Sequence, residues 1–385
     1  MSRATKGCGC ASAVMLILAA VASLVFWKFF WPRWKAQPPS ASGGELQVHV
    51  LDVGPINGDA ILIVSPTGKV VLIDSGDAGK EKTVLEALKR YQVQQLDYFI
   101  GTHPHPDHLG SAASILKATK VLNVIDNGLP PPTGLPSPSP TPARGKSAPP
   151  VAKPPARVGK KPKGPAQFYE DYREAIKQSG ANYETAEVGK KYNLGGGARL
   201  TILGPSQPYF TKEQMKAGGN EPNANSVVAR LDYGDFSILL PGDAEEQTEQ
   251  RMLAKDFELK ARILKVAHHG SKYATSDAFL KRVQPDIAII SDGEWNRYGH
   301  PSQAVLDRLK AANTKVYRTD LQGEITITTN GKLKGDKLFD IKTAKEAKSS
   351  VWEGRLPQKD DSSRSGFIAY GDFGPPPKVK QEKPK

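Results

Sequence analysis

Cysteine is almost absent from this chain of 385 residues, which contains only Cys8 and Cys10. Both precede an apolar N-terminal run, so the rest of the chain can hold neither a disulfide framework nor a zinc site built from thiolates. Histidine is also scarce, with seven residues in total. A metal site in this protein would therefore use imidazole and carboxylate ligands, which makes the positions of the histidines the most informative feature of the sequence.

Acidic residues are missing from two segments of the chain. Residues 1–44 contain five basic and no acidic residues, and residues 129–166 contain seven basic and none. These segments supply most of the formal net charge of +13. Because the basic excess lies outside the parts with strand and helix patterns, it is typical of solvated or loosely associating segments, and it does not by itself indicate specific DNA binding.

An apolar run at residues 11–27 is followed by Lys28 and a cluster of tryptophan and phenylalanine. The run reaches the length of a membrane span if the Lys28 side chain extends to the interface, where aromatic residues are favoured. No small-residue cleavage site follows, which favours an uncleaved anchor over a signal peptide. We expect residues 1–40 to form a single-pass membrane anchor and linker, with the bulk of the chain outside the cytoplasm.

Residues 45–330 carry the periodic patterns of one folded domain, interrupted at residues 129–166. Strand patterns occur at residues 46–53, 60–64, 70–74, 96–101, 121–125, 199–203, 226–231, 236–240, 262–267, 287–291 and 324–329. Helix patterns occur at residues 81–91, 111–120, 168–178, 244–254, 276–283 and 302–312. Two strand-rich halves with helices between them favour two sheets packed face to face and covered by helices, an α/β (α+β) fold.

Two segments lack such patterns and are predicted to be disordered. Residues 129–166 are rich in proline, serine, lysine and glycine and have few large apolar residues, so they cannot bury enough surface to offset the entropy of ordering. Residues 341–385 lose periodicity and end in proline and lysine. We therefore expect a disordered insertion within the domain and a disordered basic tail after it.

Three imidazoles and one carboxylate lie within six residues directly after the predicted strand at 96–101: His103, His105, Asp107 and His108. Imidazole nitrogen and carboxylate oxygen are the ligands that zinc and related divalent metals prefer. Two intervening prolines stiffen the loop. Since alternate residues of an extended loop point to opposite sides, His103 and His105 are expected to face one metal, and Asp107 and His108 a second. A surface histidine cluster without a metal is the alternative interpretation.

Two aspartates end predicted strands. Asp243 follows the strand at 236–240, where one carboxylate can bridge two cations about 3.5–4 Å apart. Capping of the next helix is its alternative role. Asp74 ends the strand at 70–74, and we expect it to accept a hydrogen bond from a ligand histidine, with a turn-forming role as the alternative.

The remaining candidate histidines follow later strands. His268 and His269 stand side by side after the strand at 262–267. One of them would be a metal ligand, and the other could orient it, act on the substrate or be structural. His300 precedes the helix at 302–312, where an active-site role and a surface turn are both open.

The order of these motifs resembles the metallo-β-lactamase superfamily, and more narrowly the hydrolase domain of the ComEC competence proteins. The narrower resemblance is carried by Leu51-Asp52-Val53-Gly54, Gly58-Asp59-Ala60, Asn225-Ser226-Val227-Val228, Gly242-Asp243-Ala244-Glu245 and His268-His269-Gly270-Ser271. It covers residues 46–329 without the insertion.

The resemblance implies an αββα sandwich that holds one or two divalent ions, zinc or manganese, along one edge. It implies site one at His103 and His105, and site two at Asp107 and His108 with His268 or His269. Asp243 would bridge the two sites, and a metal-bound hydroxide would be the nucleophile. Asp107, Asp243 and His300 are thus the candidate catalytic residues, and Asp74 supports a ligand. Candidate groups on the substrate side are Asn225, Lys272 and His300.

This chain departs from the family pattern in three places that bear on function. No histidine lies between His108 and His268, so the usual third imidazole of site one is missing, and water or a side chain such as Asn225 would complete that site. His105 stands where ComEC-type domains often carry aspartate. Extra residues also lengthen the turn between Gly54 and Gly58.

We expect a metal-dependent hydrolase of phosphodiesters, including nucleic acids. A hydrolase of another ester or lactone and a non-catalytic metal-binding scaffold remain the alternatives, because fold alone does not choose a substrate. The single predicted membrane span cannot form a DNA pore, so a DNA-uptake role is not expected. No defined protein partner is predicted.

Overall fold

The computed structural model describes residues 44–54, 57–131, 167–215, 220–295 and 298–356. The strands are β1 Leu46–Val50, β2 Ile61–Val64, β3 Val70–Ile73, β4 Gln95–Ile100, β5 Lys120–Asp126, β6 Asn182–Thr185, β7 Lys191–Gly195, β8 Ala198–Gly204, β9 Val228–Tyr233, β10 Phe236–Leu240, β11 Ile263–Lys265, β12 Ile287–Ile290, β13 Lys315–Arg318, β14 Ile325–Thr329 and β15 Asp340–Thr343. The helices are α1 Glu81–Arg90, α2 Pro106–Leu109, α3 Ala112–Ala118, α4 Gln167–Ser179, α5 Glu221–Ala224, α6 Glu246–Leu253, α7 Asp277–Val283, α8 Gln303–Ala311 and α9 Thr319–Gln322. Two short 3₁₀ turns lie at Lys212–Gln214 and Ala267–Gly270.

The strands form two sheets. One has eight strands in the order β15-β14-β1-β2-β3-β4-β5-β6, and the other has seven in the order β13-β12-β11-β10-β9-β8-β7. Strands β3 to β6 pair in parallel, and so do β10 to β13. The carboxyl ends of parallel strands meet at one edge of a sheet, so the loops after β3, β4, β10 and β11 are brought to such edges.

The buried apolar residues fall into three clusters that correspond to the spaces between four layers. The central cluster joins the inner faces of the two sheets and includes Ile73 and Ile238. A second lies between the first sheet and α1, α3 and α4 and includes Tyr172. The third lies between the second sheet and α6, α7 and α8 and includes Phe279 and Leu306. The mixed α/β fold with two packed sheets, predicted from the sequence, is confirmed.

The central strands were predictable because their sequences are almost wholly apolar. All four residues of β3 and all five of β10 are buried, as expected of parallel-sheet strands covered on both faces. Helix α1 shows the other pattern: Val84 and Leu88 are buried, whereas Lys89 and Arg90 lie in its last turn, where positive charge is favourable.

The ordered chain continues past residue 341, where the sequence predicts a tail. Strand β15 pairs antiparallel with β14. Further on, Trp352 packs against the third apolar cluster, and the Arg355 guanidinium binds the Asp320 carboxylate at 2.7 Å. Lys345 also pairs with Glu294 at 3.3 Å. Backbone pairing and ion pairs thus do much of the holding, so the segment carries little apolar periodicity. Residues 357–385, like residues 132–166 of the predicted insertion, lie outside the described part of the chain.

The predicted membrane anchor at residues 11–27 also lies outside the described residues. Among the helices that are described, none has the length and apolar character needed to cross a membrane.

Candidate metal centre

Four loops that follow β3, β4, β10 and β11 bring the predicted ligands together. Asp74 follows β3 directly, with a left-handed φ of 58°. His103 comes after β4, Asp243 after β10, and His269 after β11. Ligands that are far apart in sequence therefore meet because parallel strands end at the same side of each sheet.

The loop after β4 turns into the short helix α2, which begins with Pro106 and presents His108. Proline suits the first helical position, where no N–H is needed. The helix is followed by Gly110, where a Cβ atom would lie 2.3 Å from the carbonyl oxygen of Pro106 and the backbone nitrogen of Ala78. Only glycine fits this close approach, so the backbone position of the ligand loop is tightly defined.

His108 is fully buried and is oriented by a carboxylate. Its Nδ1 donates a hydrogen bond of 2.7 Å to Asp74 Oδ2, and the Thr102 backbone N–H donates to Asp74 Oδ1 at 2.8 Å. The other ring nitrogen, Nε2, then lies 3.2 Å from Asp243 Oδ2. Burial lowers the pKa of His108, but the charges of Asp243, Asp74 and Asp107 outweigh burial and hold this pKa well above its usual value.

His103 and His105 face each other beside Asp243. His103 Nδ1 lies 3.0 Å from Thr102 Oγ1 and 3.3 Å from Ser226 Oγ. Its Nε2 lies 2.9 Å from His105 Nδ1 and 3.9 Å from Asp243 Oδ2. Burial lowers the pKa of both histidines, which keeps them in the neutral form that binds metal. The two rings lie side by side, and their assignment to site one stays a prediction.

Of the two adjacent histidines, His269 occupies the position of a ligand. Its Nδ1 donates to the Ser291 carbonyl at 2.8 Å, and its Nε2 lies 3.4 Å from Asp107 Oδ2 and 3.6 Å from Asp243 Oδ2. Burial lowers the pKa of His269, but Asp243, Asp59 and Asp107 raise it to about 9. A ring held by a backbone carbonyl with its other nitrogen toward carboxylates is typical of a metal-binding histidine.

His268 lies at the rim of this centre. Its Nε2 is 4.0 Å from Asp243 Oδ2, and its side chain is 18 % exposed, compared with 2 % for His269. The amide nitrogen of Asn223 lies 3.2 Å from His268 Nε2, and Glu245 Oε1 lies 3.7 Å from Nδ1. Burial raises the pKa of the Glu245 carboxyl to about 7.

The donor atoms fit one or two divalent ions. Ligand atoms of His103, His108 and Asp243 lie within 4.8 Å of one another, and so do those of Asp107, His108 and His269. Within the described residues, His108 Nε2, His269 Nε2 and the other oxygen of Asp243, Oδ1, are buried without a hydrogen bond of normal geometry. Buried polar atoms are rarely left unpaired, and nitrogen with oxygen ligands suits zinc or manganese, so the chemistry of the set matches a metal centre.

A buried ion pair beside the centre was missed by the sequence reasoning. Lys265 is fully buried in β11, and its ammonium group binds the Asp59 carboxylate and lies 3.9 Å from Asp243 Oδ1. Asp59 Oδ1 in turn lies 3.6 Å from His269 Nδ1. The available signal was a single lysine at the end of an apolar strand, but sequence alone does not show that it is buried.

Asn225, a candidate for the substrate side, has its amide bonded to backbone groups. Its side chain is buried: Oδ1 accepts from Phe210 N at 2.9 Å, and Nδ2 donates to Phe210 O at 2.9 Å and to Glu221 O at 3.2 Å. Asn225 therefore holds the loop after β8. The neighbouring Asn223, not singled out from the sequence, is the asparagine that reaches the rim.

Lys272 and His300, the two other candidates for the substrate side, differ in position. Lys272 is exposed, and its ammonium group lies over the Tyr273 ring at 5.1 Å from the centroid. His300 packs edge-on against His268, with ring centroids 5.4 Å apart. The structure thus brings His300 to the rim and leaves Lys272 on the surface.

The profile of the metallo-β-lactamase superfamily matches residues 53–179, which include Asp74 and the whole histidine loop. For this region, the resemblance to the metallo-β-lactamase superfamily that the sequence motifs indicate is confirmed. The chain is 30 % identical to ComE operon protein 3 of Bacillus subtilis over 305 residues, which is 75 % of this chain and 33 % of that protein. It is also 30 % identical to Recombination protein 2 of Haemophilus influenzae over 318 residues, 81 % of this chain and 31 % of that protein.

The chain therefore spans about a third of the length of these curated relatives. Among solved structures, the metallo-β-lactamase fold protein YhfI from Bacillus subtilis aligns with 71 % of this chain and 95 % of its own, at 11 % identity and a TM-score of 0.42. The resemblance to competence proteins that the sequence motifs indicate is confirmed.

Proposed function

We propose that this protein is a metal-dependent hydrolase of phosphodiesters, with nucleic acid as the first substrate class to test. The observation that carries the proposal is the shared position of one buried carboxylate: Asp243 Oδ2 lies 3.2–3.9 Å from ring nitrogens of His103, His108 and His269. Such a carboxylate could lie between two ions, and two-metal sites stabilise both the attacking and the leaving oxygen in phosphoryl transfer.

The metal ions would be held by His103 and His105 on one side and by Asp107, His108 and His269 on the other, with Asp243 between them. When bound, such ions supply Lewis-acid chemistry to a phosphoryl or carbonyl group. The protein contributes orientation, because Asp74, Thr102 and Ser291 fix the rings of His108 and His269 through hydrogen bonds. Burial of His103, His108, Asp243 and His269 also shields their ligand atoms from water.

The phosphodiester class is supported by the names of the relatives, which refer to competence and to recombination. Residues 132–166 contain all seven lysines and arginines of the basic insertion, a charge that suits a phosphate backbone. We further propose that residues 11–27 anchor the protein in a membrane with the hydrolase domain outside the cytoplasm.

The test is hydrolysis of single-stranded DNA by the full chain in detergent, with zinc or manganese added. The double variant Asp107→Ala, His108→Ala runs beside it, with Asp286→Asn as a surface control. We expect cleavage by the parent and the control and none by the double variant. A parent that binds metal and cleaves a carboxylic ester or lactone, but not DNA, would assign this site to another ester class.

A further inference from the structure

The two adjacent histidines after β11 have different surroundings although they follow each other in the chain. His269 turns into the carboxylate cluster and is held by the Ser291 carbonyl. His268 turns toward α5 and the rim, and both residues adopt left-handed backbone angles, with φ of 49° and 51°. This conformation is unfavourable for residues other than glycine, so the surrounding structure must enforce it.

The His268 ring is held from one side by two polar side chains. Asn223 Nδ2 lies 3.3 Å from Nδ1 and 3.2 Å from Nε2, so the amide nitrogen is almost equidistant from both ring nitrogens and lies over the face of the ring. Glu245 Oε1 lies 3.7 Å from Nδ1. Glu245 is itself fixed by the backbone N–H of Asn220 at 3.1 Å. His268 is therefore flanked by two polar residues that take no part in the metal cluster, and Asn223 is the one in direct contact with its ring.

The other side of His268 faces the centre and its opening. Nε2 is directed toward Asp243 Oδ2 at 4.0 Å, and the side chain keeps 18 % of its surface exposed. His300 packs against the ring, and Tyr298 lies 5.8 Å from His300 between ring centroids. Asn223 Oδ1 is buried and has no hydrogen bond within the described residues. A phosphate oxygen beside Asp243 would meet a ring nitrogen of His268, which can donate a hydrogen bond.

We propose that His268, oriented by Asn223 and Glu245, forms a subsite that hydrogen-bonds an oxygen of a phosphate ester and is not a metal ligand. This inference rests on the proposed function, since it names the substrate group that the same centre receives. His268 would touch substrate, whereas Asn223 and Glu245 act through it and are positioning residues. Two adjacent histidines would thus divide metal binding and substrate binding between them.

The first measurement is zinc content per chain by elemental analysis, on the full chain in detergent, for the parent, His268→Ala and His269→Ala. We expect His268→Ala to retain the zinc content of the parent and His269→Ala to lose zinc. The second is binding of inorganic phosphate to the zinc-loaded proteins by calorimetry. Loss of one hydrogen bond to a charged group predicts binding weaker by about ten- to a hundredfold in His268→Ala.

Two further variants separate a binding role from a structural one. His268→Gln retains a side-chain N–H donor, so it should recover part of the lost phosphate affinity. Asn223→Ala should retain zinc and weaken phosphate binding less than His268→Ala, because it removes only the support of the ring. Thermal unfolding of each variant shows whether it is folded under the conditions of the binding measurement.

Each other outcome would overturn the subsite. Equal loss of zinc in His268→Ala and His269→Ala would make His268 a ligand, and unchanged phosphate affinity in His268→Ala would remove it from substrate binding. A parent that binds zinc but no phosphate would also contradict the proposal. Failure of the zinc-loaded parent to cleave DNA, with the zinc and phosphate results as expected, would contradict only the nucleic-acid substrate.

Discussion

His108 Nδ1 donates a hydrogen bond of 2.7 Å to Asp74 Oδ2, and both side chains are wholly buried. The bond fixes the tautomer of the ring, so that Nε2 points toward Asp243 and Asp107 and is available to a metal ion. Asp74 is 34 residues from His108 in sequence, and the contact exists because β3 and β4 are parallel neighbours. The orientation of a ligand in one loop is therefore set by the end of another strand.

Replacement of Asp74 by asparagine should weaken metal binding by about ten- to a hundredfold, as loss of such a supporting carboxylate usually does. The amide retains the volume of the side chain but not its charge, so the bond that holds the His108 ring is weakened. Competition with a zinc-binding dye would measure the affinity. The matched control is Asp286→Asn, an exposed carboxylate paired with Arg262 on the surface. Affinity equal to that of the parent would show that Asp74 has no role in orienting His108.

The buried pair of Lys265 and Asp59 gives a prediction about stability. Lys265→Met should destabilise the metal-free protein by about 3–5 kcal/mol, because it leaves the Asp59 carboxylate buried without its partner. The double variant Lys265→Met, Asp59→Asn should recover most of that loss, since neither charge remains. Urea unfolding of the single and double variants measures both values.

The surface pair of Arg262 and Asp286 is the control for this cycle, because both side chains are about half exposed. Breaking it with Arg262→Met should cost no more than about 1 kcal/mol. The single variant Asp59→Asn completes the cycle. If the loss of stability in the double variant equalled the sum of the losses in Lys265→Met and Asp59→Asn, Lys265 and Asp59 would be acting independently.

Asn225→Ala should lower stability and leave the metal content unchanged. The substitution leaves the backbone N–H and carbonyl of Phe210 without their partners, a loss of about 1–3 kcal/mol. Asn193→Ala is a suitable control, because that amide is exposed and accepts one bond from Gly195. Zinc analysis and urea unfolding are the measurements. Loss of zinc in Asn225→Ala alone would assign Asn225 the ligand role that the sequence suggested.

Glu324 should make the protein sensitive to acid. Burial raises the pKa of this carboxyl, but hydrogen bonds with His49 and Tyr91 and the charge of Arg90 outweigh burial and lower it below the ordinary value of 4.5. A carboxyl with a lowered pKa in the folded state stabilises the protein above its unfolded pKa, and this contribution is lost as pH falls. Glu324→Gln should therefore be less stable than the parent at pH 7 and should lose less stability between about pH 5 and pH 3. Urea unfolding at several pH values in this range measures the free energy of unfolding. An equal fall of that free energy in parent and variant would contradict the assignment.

The sequence by itself determined the class of the centre and the central strands. Three histidines and an aspartate within six residues of the loop after β4 identify ligand chemistry without any knowledge of the fold, because imidazole and carboxylate rarely cluster so densely for other reasons. Strands β3 and β10 were likewise evident, since strands covered on both faces have continuous apolar sequences.

Strands at the sheet edges were not found from the sequence. Strands β6, β7, β13 and β15, absent from the predicted set, are the four outermost strands of the two sheets. An edge strand is covered on fewer sides and keeps polar residues, so its apolar pattern is weak. Strand Asn182–Thr185 is an example, since none of its four residues is buried. Pairing with a neighbour, which depends on distant residues, decides that these segments are strands.

The division of roles at the centre was decided only by the tertiary structure. His269 rather than His268 faces the carboxylates because its ring is held by the Ser291 carbonyl. Asn223 rather than Asn225 reaches the rim because the Asn225 amide is bonded to the backbone of Phe210. Burial of Lys265 against Asp59 likewise requires the loop before β2 of the first sheet to contact the end of β11 in the second. The sequence therefore identified which chemical groups are present. The packing of strands from both sheets determined which atoms face the candidate metal centre, because hydrogen bonds between distant residues fix the orientation of each ring and amide.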